Sequence, residues 1–196
     1  GSSGATLGTN STGSQNTALG MQALGSNSTA SDNTAVGYQS LKANTTGTLN
    51  TALGSESLKV NTTGDNNTAI GRLALHLNTT ADANTAVGRS ALEANTTGAS
   101  NVAVGFGALD ANTTGPHNTA VGNAALGANT TGDLNVAIGG NALLSNVLGD
   151  RTVAIGYNAL QAQAPSSNVD TYNVAVGLNA GFSVTTGANN TVIGGL

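Results

Sequence analysis

The sequence contains no cysteine and no tryptophan, and only two of its 196 residues are proline. The missing cysteines exclude a disulfide framework and thiolate metal sites. Charged residues make up 7% of the chain, against about 25% in an ordinary soluble domain. The five basic residues are outnumbered by nine acidic ones, which argues against nucleic acid as a partner. No apolar run approaches the roughly 18 residues of a membrane span, so no membrane insertion of this segment is expected.

What the chain has instead is a repeat of constant length. A pentad of Asn, Thr or Val, Ala, an aliphatic residue and Gly recurs every 17 residues from Asn16 to Asn135. A degenerate copy begins at Thr152, another follows 21 residues later at Asn173, and a further one begins at Asn190. A fixed period of this size indicates an array of stacked units, each burying its apolar residues against its neighbours.

One repeat, residues 33–49, contains two short segments rich in β-formers, separated by Gly37 and followed by the turn sequence Asn44-Thr45-Thr46-Gly47. Glycine and β-branched residues recur too often for a helix, and no helical period is visible. The sequence therefore predicts an all-β fold, a parallel β-solenoid or β-roll. It has about 11 coils of 17 residues, with two short strands per coil. At about 4.8 Å per coil, such a stack is a rod roughly 50 Å long.

Columns of like residues assign the predicted faces. Because side chains alternate along a strand, we expect one aliphatic column to point inward and the alanines beside it, such as Ala103, to point outward. The predicted core ladder from the first strand is Val36, Leu53, Ile70, Val87, Val104, Val121 and Ile138. The ladder from the second strand is Leu41, Leu58, Leu75, Leu92, Leu109 and Leu126. This core is thin for a single chain, so a homo-oligomer, either a trimer or a filament, is expected.

The chain divides simply. Residues 1–4 read as a tag remnant, and residues 5–196 are predicted to form a single solenoid domain, which we expect to be a segment of a longer protein. The extra four residues of the longer repeat predict a loop insertion at 161–172, which contains Pro165. Solenoids accept insertions at turns.

The pentads Asn33–Gly37 and Asn101–Gly105, and the segment Val153–Gly156, resemble the head repeats of trimeric autotransporter adhesins. Similar repeats occur in phage-type tail fibres. The resemblance covers about residues 5–196, although the period here is longer than in adhesin heads. It implies a left-handed parallel β-roll that trimerises, in an extracellular protein at a cell or virion surface. Host glycans or proteins are the partners that it implies.

Several positions are candidates for surface binding. A threonine column recurs in the turns, and regular threonines on a solenoid are one way of binding ice: Thr45, Thr62, Thr79, Thr96, Thr113 and Thr130. The aromatic residues Tyr38, Phe106 and Tyr157 follow pentad glycines and are expected at an exposed corner. The Asn-Thr-Thr turns also match the N-glycosylation acceptor pattern, but we interpret them as turns whose asparagines stack between coils.

No residue set predicts catalysis. Paired carboxylates of a glycosidase are not evident, and neither a cofactor site nor a metal site is expected. The sequence favours a structural and adhesive fibre module that presents turn residues many times along a rigid rod. A self-assembling extracellular filament subunit and an ice-binding solenoid are the alternatives.

Overall fold

The computed structural model describes residues 6–195, so the predicted tag remnant at residues 1–4 lies outside the described residues. The fold is a parallel β-solenoid of 17-residue coils, as predicted. One sheet contains eleven parallel strands. In chain order these are β1 (Thr17–Leu19), β2 (Thr34–Val36), β3 (Thr51–Leu53), β4 (Thr68–Ile70), β5 (Thr85–Val87), β6 (Val102–Val104), β7 (Thr119–Val121), β8 (Val136–Ile138), β10 (Val153–Ile155), β12 (Val174–Val176) and β13 (Thr191–Ile193). A second sheet pairs β9 (Gly149–Asp150) with β11 (Val169–Asp170). Residues 6–195 contain no helix that could cross a membrane.

The register of the sheet follows the repeat. Each strand pairs in parallel with the strand of the next coil, so that Ala86 lies beside Ala103 and Ala103 beside Ala120. Each strand is only three residues long because the glycine that follows it adopts a positive φ, for example 140° at Gly105. The chain therefore turns at the same place in every coil, and the strands form one straight column.

The second predicted strand is wrong. Residues 38–43, like their equivalents, form consecutive turns in which Gln39 and Leu41 have φ values of 55° and 48°. Hydrogen bonds between coils nevertheless continue through these turns: the Leu41 amide donates to the Ser57 carbonyl at 3.0 Å, and the Ala43 amide donates to the Lys59 carbonyl at 3.0 Å. The ladder therefore extends around the coil although the backbone is not extended.

The faces of the strands are opposite to those expected. Ala35, Ala103 and the other pentad alanines from Ala35 to Ala175 are fully buried, whereas Leu53 is 46% exposed and Val104 is 36% exposed. The first predicted core ladder is thus wrong. Its members lie half-buried or exposed on the outside of the sheet: Val36, Leu53, Ile70, Val87, Val104, Val121 and Ile138. The second ladder is correct, since the leucines from Leu41 to Leu126 are fully buried and cluster with the alanines.

Two columns of buried asparagines complete the interior. In the turn column, the Asn95 side-chain amide donates to Asn78 Oδ1 at 2.9 Å and to the Gly98 carbonyl at 2.9 Å. In the pentad column, the Asn84 amide side chain donates across its own coil to the same Gly98 carbonyl at 3.0 Å. Its Oδ1 accepts the Asn101 backbone amide at 2.9 Å. These bonds satisfy polar groups that would otherwise be costly to bury.

In the longer coil, which contains the insertion predicted at residues 161–172, other polar residues occupy both asparagine positions. These residues form hydrogen bonds in place of the asparagines. Thr152 stands in the pentad column and Gln163 in the turn column, and both are fully buried. The longer Gln163 side chain donates to Thr152 Oγ1 at 3.0 Å and accepts from the Asn173 side chain at 2.9 Å. Thr171, contributed by the insertion, hydrogen bonds to Thr152 and donates to the Asp150 carbonyl. Gln163 and Thr171 therefore keep the polar groups of the longer coil hydrogen-bonded.

Candidate binding surfaces

The outer side of the eleven-stranded sheet is an uncharged surface, which we call the sheet face. It consists of the first and third residue of every strand. One column contains Thr17, Thr34, Thr51, Thr68, Thr85, Val102, Thr119, Val136, Val153, Val174 and Thr191. The other contains Leu19, Val36, Leu53, Ile70, Val87, Val104, Val121, Ile138, Ile155, Val176 and Ile193. Side chains repeat about 4.8 Å apart between strands and about 6.6 Å apart along each strand.

The exposed aliphatic side chains of the sheet face form one strip and are not scattered singly over the surface. Its third-residue column includes side chains that are 36% to 76% exposed, among them Ile70, Ile155 and Ile193. With ten steps between eleven strands, the strip is roughly 50 Å long and about 10 Å wide. A strip of this extent is comparable with the largest apolar patch of a typical monomer, and such patches are often functional.

The turn threonines have a different role from the one considered from the sequence. Thr96 is half-buried, and its hydroxyl donates to the Thr113 carbonyl of the next coil at 2.9 Å. The same bond recurs in the column at distances up to 3.2 Å, donated by Thr45, Thr62, Thr79, Thr113 and Thr130. These hydroxyls form hydrogen bonds that hold neighbouring coils together. The following threonine of each turn, such as Thr97, is the exposed one.

The aromatic candidates lie at an exposed corner, as expected. Tyr38, Phe106 and Tyr157 are 41%, 52% and 56% exposed. The Arg89 guanidinium lies 5.3 Å from the centre of the Phe106 ring, an attractive cation–π geometry. The three rings stand in coils far apart along the stack, so each belongs to a separate surface patch.

The acceptor pattern in the Asn-Thr-Thr turns does not mark accessible asparagines. Asn44, Asn61, Asn78, Asn95, Asn112 and Asn129 are fully buried. Each donates to the carbonyl of the third residue after it, as Asn44 does to Gly47 at 2.8 Å. A folded coil therefore withholds these six side chains from any modifying enzyme.

Aspartates near the turns cap the backbone. Asp65 Oδ1 accepts the Thr48 amide at 2.6 Å, and Asp150 Oδ1 accepts the Asp133 amide at 2.8 Å. Burial raises the pKa of Asp150 above its usual value, and the nearby Asp133 and Asp170 charges add to this, while the hydrogen bond from Asp133 and the charge of Arg151 oppose it. Over residues 6–195 no three side chains of His, Asp or Glu are grouped closely enough to hold a metal ion.

A groove with a volume of about 580 Å³ lies at the last coils. Asn158, Asn179 and Phe182 are among the residues that line it. Gly181 stands here in place of the column leucine, which opens the space beside Leu160. The groove contains no titratable group and thus offers no acid–base chemistry.

The chain matches no protein-family model, and neither a curated protein nor a solved structure shows significant similarity to it.

Proposed function

We propose that this chain is a structural and adhesive fibre module of a cell or virion surface, in which copies of the solenoid associate through the sheet face. The observation that carries the proposal is the exposed, uncharged column of aliphatic side chains that runs along the whole sheet. Like-charge repulsion is absent from this surface, so identical copies can approach it closely. The rod then presents its corner residues many times, and weak contacts gain strength through multivalency.

The dimensions of the sheet face support association of copies. A strip of roughly 500 Å² is smaller than the approximately 800 Å² that each partner contributes to a standard interface. The regular spacing of its side chains compensates for the small area, because two such surfaces present columns with the same repeat of about 4.8 Å. Side chains of one copy can therefore interdigitate with those of another along the full length.

The test is substitution in the middle of the sheet face. We expect Val104→Arg to shift sedimentation toward smaller assemblies, because charge and bulk on the outer column prevent close approach of a second copy at the sheet face. Circular dichroism should be unchanged, since the Val104 side chain is outside the coil. Thr97→Arg, at an exposed turn on another side, is the matched control and should sediment like the parent.

A parent that is monomeric at all concentrations would contradict the proposal. Polymers that persist in Val104→Arg would instead favour end-to-end filament growth.

Ice binding is the second candidate, and the sheet face favours it for a specific reason. Hydroxyl and methyl groups form a two-column grid on the sheet face, with spacings of about 4.8 Å and 6.6 Å. The residues concerned are strand threonines such as Thr85 and not the turn threonines. Thermal hysteresis measured on the same samples separates the two functions: ice binding requires hysteresis in a monomeric parent and its loss in Val104→Arg.

A further inference from the structure

A second surface of the rod carries an ordered series of charges, which we call the charged column. It occupies the same place in five successive coils, one residue after the buried leucine, and reads Lys42, Lys59, His76, Glu93 and Asp110. The equivalent residues in the flanking coils are both glycine, Gly25 and Gly127. Positive residues thus fill one half of the column and negative residues the other, with the histidine at the centre.

The side chains of the column lie on one surface with those three residues earlier in the chain. Lys59 Nζ lies 3.1 Å from a Glu56 carboxylate oxygen, and His76 Nδ1 lies 3.1 Å from the Glu56 carbonyl and 3.8 Å from its carboxylate. Within the part of the chain that the structure describes, Lys42, Glu93 and Asp110 form no ion pair.

The negative half places two acidic residues, Glu93 and Asp110, in neighbouring coils. Burial raises the pKa of Asp110 above its usual value, and the Glu93 charge in the neighbouring coil raises it further, while the backbone amides of Asp110 and Ala111 lower it. Ala94 and Ala111 directly follow the two acids, and Gly107 and Gly127 lie beside the Asp110 carboxylate, so the side chains at these four positions are small. A cation approaching from outside would therefore meet two carboxylates without large neighbouring side chains.

We propose that a second copy of this chain packs antiparallel against the charged column, about a twofold axis at the level of His76. Such an axis reverses the order of the coils, so Lys42 faces Asp110 of the other copy and Lys59 faces its Glu93. The same operation places Gly25 opposite Gly127. The two copies bury the same surface patch, as an isologous dimer requires.

The sign pattern selects this arrangement over others. In a parallel, in-register pair Lys42 would face Lys42 and Asp110 would face Asp110, which is repulsive. An exposed ion pair contributes little alone, but the twofold axis duplicates each contact and forms four pairs. At the centre, Leu73 takes the place that Glu56 holds one coil earlier, and Leu77 is 42% exposed. The interface would thus have an apolar centre and a charged periphery, the usual anatomy of a protein interface.

Zero-length cross-linking tests the geometry directly. Lys42 and Lys59 are the only lysines of the chain. Within one chain Lys42 and Asp110 stand four coils apart, or roughly 19 Å, so a carbodiimide amide bond between them must join two copies. We expect Lys42–Asp110 cross-links in a dimer band identified by mass spectrometry, and these alone are diagnostic, because Lys59 and Glu93 of one chain are only about 10 Å apart. Recovery of only Lys59–Glu56 cross-links within the monomer would overturn the proposal.

Charge reversal provides the second test, carried out in the Val104→Arg background so that the sheet face does not contribute to association. Lys42→Glu and Asp110→Lys should each raise the dimer dissociation constant about ten-fold or more, because each creates two like-charge contacts. The double variant Lys42→Glu with Asp110→Lys should restore the parental value. Arg72→Glu, a charge reversal at a different place in the coil, is the control and should have no such effect. A double variant no better than the single variants would overturn the proposal, whatever the outcome for the sheet face.

Discussion

At the level of single residues, each coil depends on backbone positions with positive φ. The buried leucines adopt it in coil after coil, with values such as 48° at Leu58 and 52° at Leu92. A left-handed residue costs roughly 1–2 kcal/mol. The cost is offset because the same residue buries its whole side chain and donates its amide to the next coil, as Leu92 does to Ala108 at 3.0 Å.

The pentad glycines are under a stricter constraint. Their φ values lie between 123° and 145°, outside the left-handed helical region that leucine uses. A Cβ on Gly105 would also lie 2.4 Å from the Gly122 carbonyl oxygen. Both the torsion angle and the close stacking of coils therefore require glycine here.

Gly105→Ala should accordingly lower the free energy of unfolding by about 3 kcal/mol, measured by chemical denaturation. Gly98→Ala is the control: its Cβ would also approach a carbonyl oxygen, that of Gly115 at 2.6 Å, but its φ is not positive. The chain itself has buried alanines, Ala30 and Ala81, at the equivalent place of other coils. Gly98→Ala should stay within about 1 kcal/mol of the parent. Equal losses in the two variants would show that backbone torsion is not what selects the pentad glycine.

At the level of elements, the asparagine columns form rows of side-chain hydrogen bonds that join one coil to the next. The turn column is interrupted at Asn146, which is hydrogen-bonded neither to Asn129 nor to Gln163. Asn146 Oδ1 accepts the Gly149 amide of its own turn at 3.1 Å, and its side-chain amide donates to the Gly149 carbonyl. Asn129 Oδ1 is left as the one buried side-chain polar atom without a partner among residues 6–195.

The interruption predicts unequal effects of one substitution. Asn95→Ala removes two donated bonds and the bond accepted from Asn112 at 2.9 Å. Asn129→Ala removes only the two donated ones. Asn95→Ala should lower the free energy of unfolding by about 3 kcal/mol, and Asn129→Ala by about 1 kcal/mol less. Identical denaturation midpoints for the two variants would mean that the accepted bond contributes nothing to stability.

The same elements show how much of the fold could be predicted from the sequence. The period established the solenoid, the coil length and the leucine column, because stacking in register needs like residues at like places. Alternation along the strand also placed Ala103 and Val104 on opposite sides. It could not say which side was inside, and the larger residue was assigned to the core. The interior of each coil already holds a buried leucine and two buried asparagines, and the small alanine side chain completes it. The sequence did contain a signal for which side is inside. The alanine column is nearly constant, whereas the aliphatic column beside it varies among Val, Leu and Ile.

The turn segment was mistaken for a strand for a related reason. Its alternating apolar pattern at Leu41 and Ala43 is real, but it arises from successive turns with left-handed residues. Leucine in that conformation has no sequence signature. The binding surfaces were affected in turn, because an exposed sheet face could not be recognised while its aliphatic residues were assigned to the core.

At the level of the whole molecule, stability is transmitted from coil to coil. Each strand of the main sheet contacts only the strands of adjacent coils, so the stack behaves approximately as a one-dimensional array with nearest-neighbour interfaces. The low content of charge and aromatic residues is compatible with this design because no coil needs a large core. Each coil is stabilised instead by its interfaces with the coils on both sides.

The position of a defect along the stack should therefore decide which coils open. Leu24 and Leu92 are both fully buried and both left-handed, with φ values of 49° and 52°. Leu24→Ala and Leu92→Ala each remove the same group and should each weaken their own coil interfaces by about 3 kcal/mol. Hydrogen exchange measured by mass spectrometry should show loss of protection confined to the first coils in Leu24→Ala, because the remaining coils keep their neighbours. In Leu92→Ala the loss should spread over a longer stretch, since a defect in the middle leaves two shorter arrays. Uniform loss of protection along the chain in Leu24→Ala would instead show that the rod unfolds as a single cooperative unit.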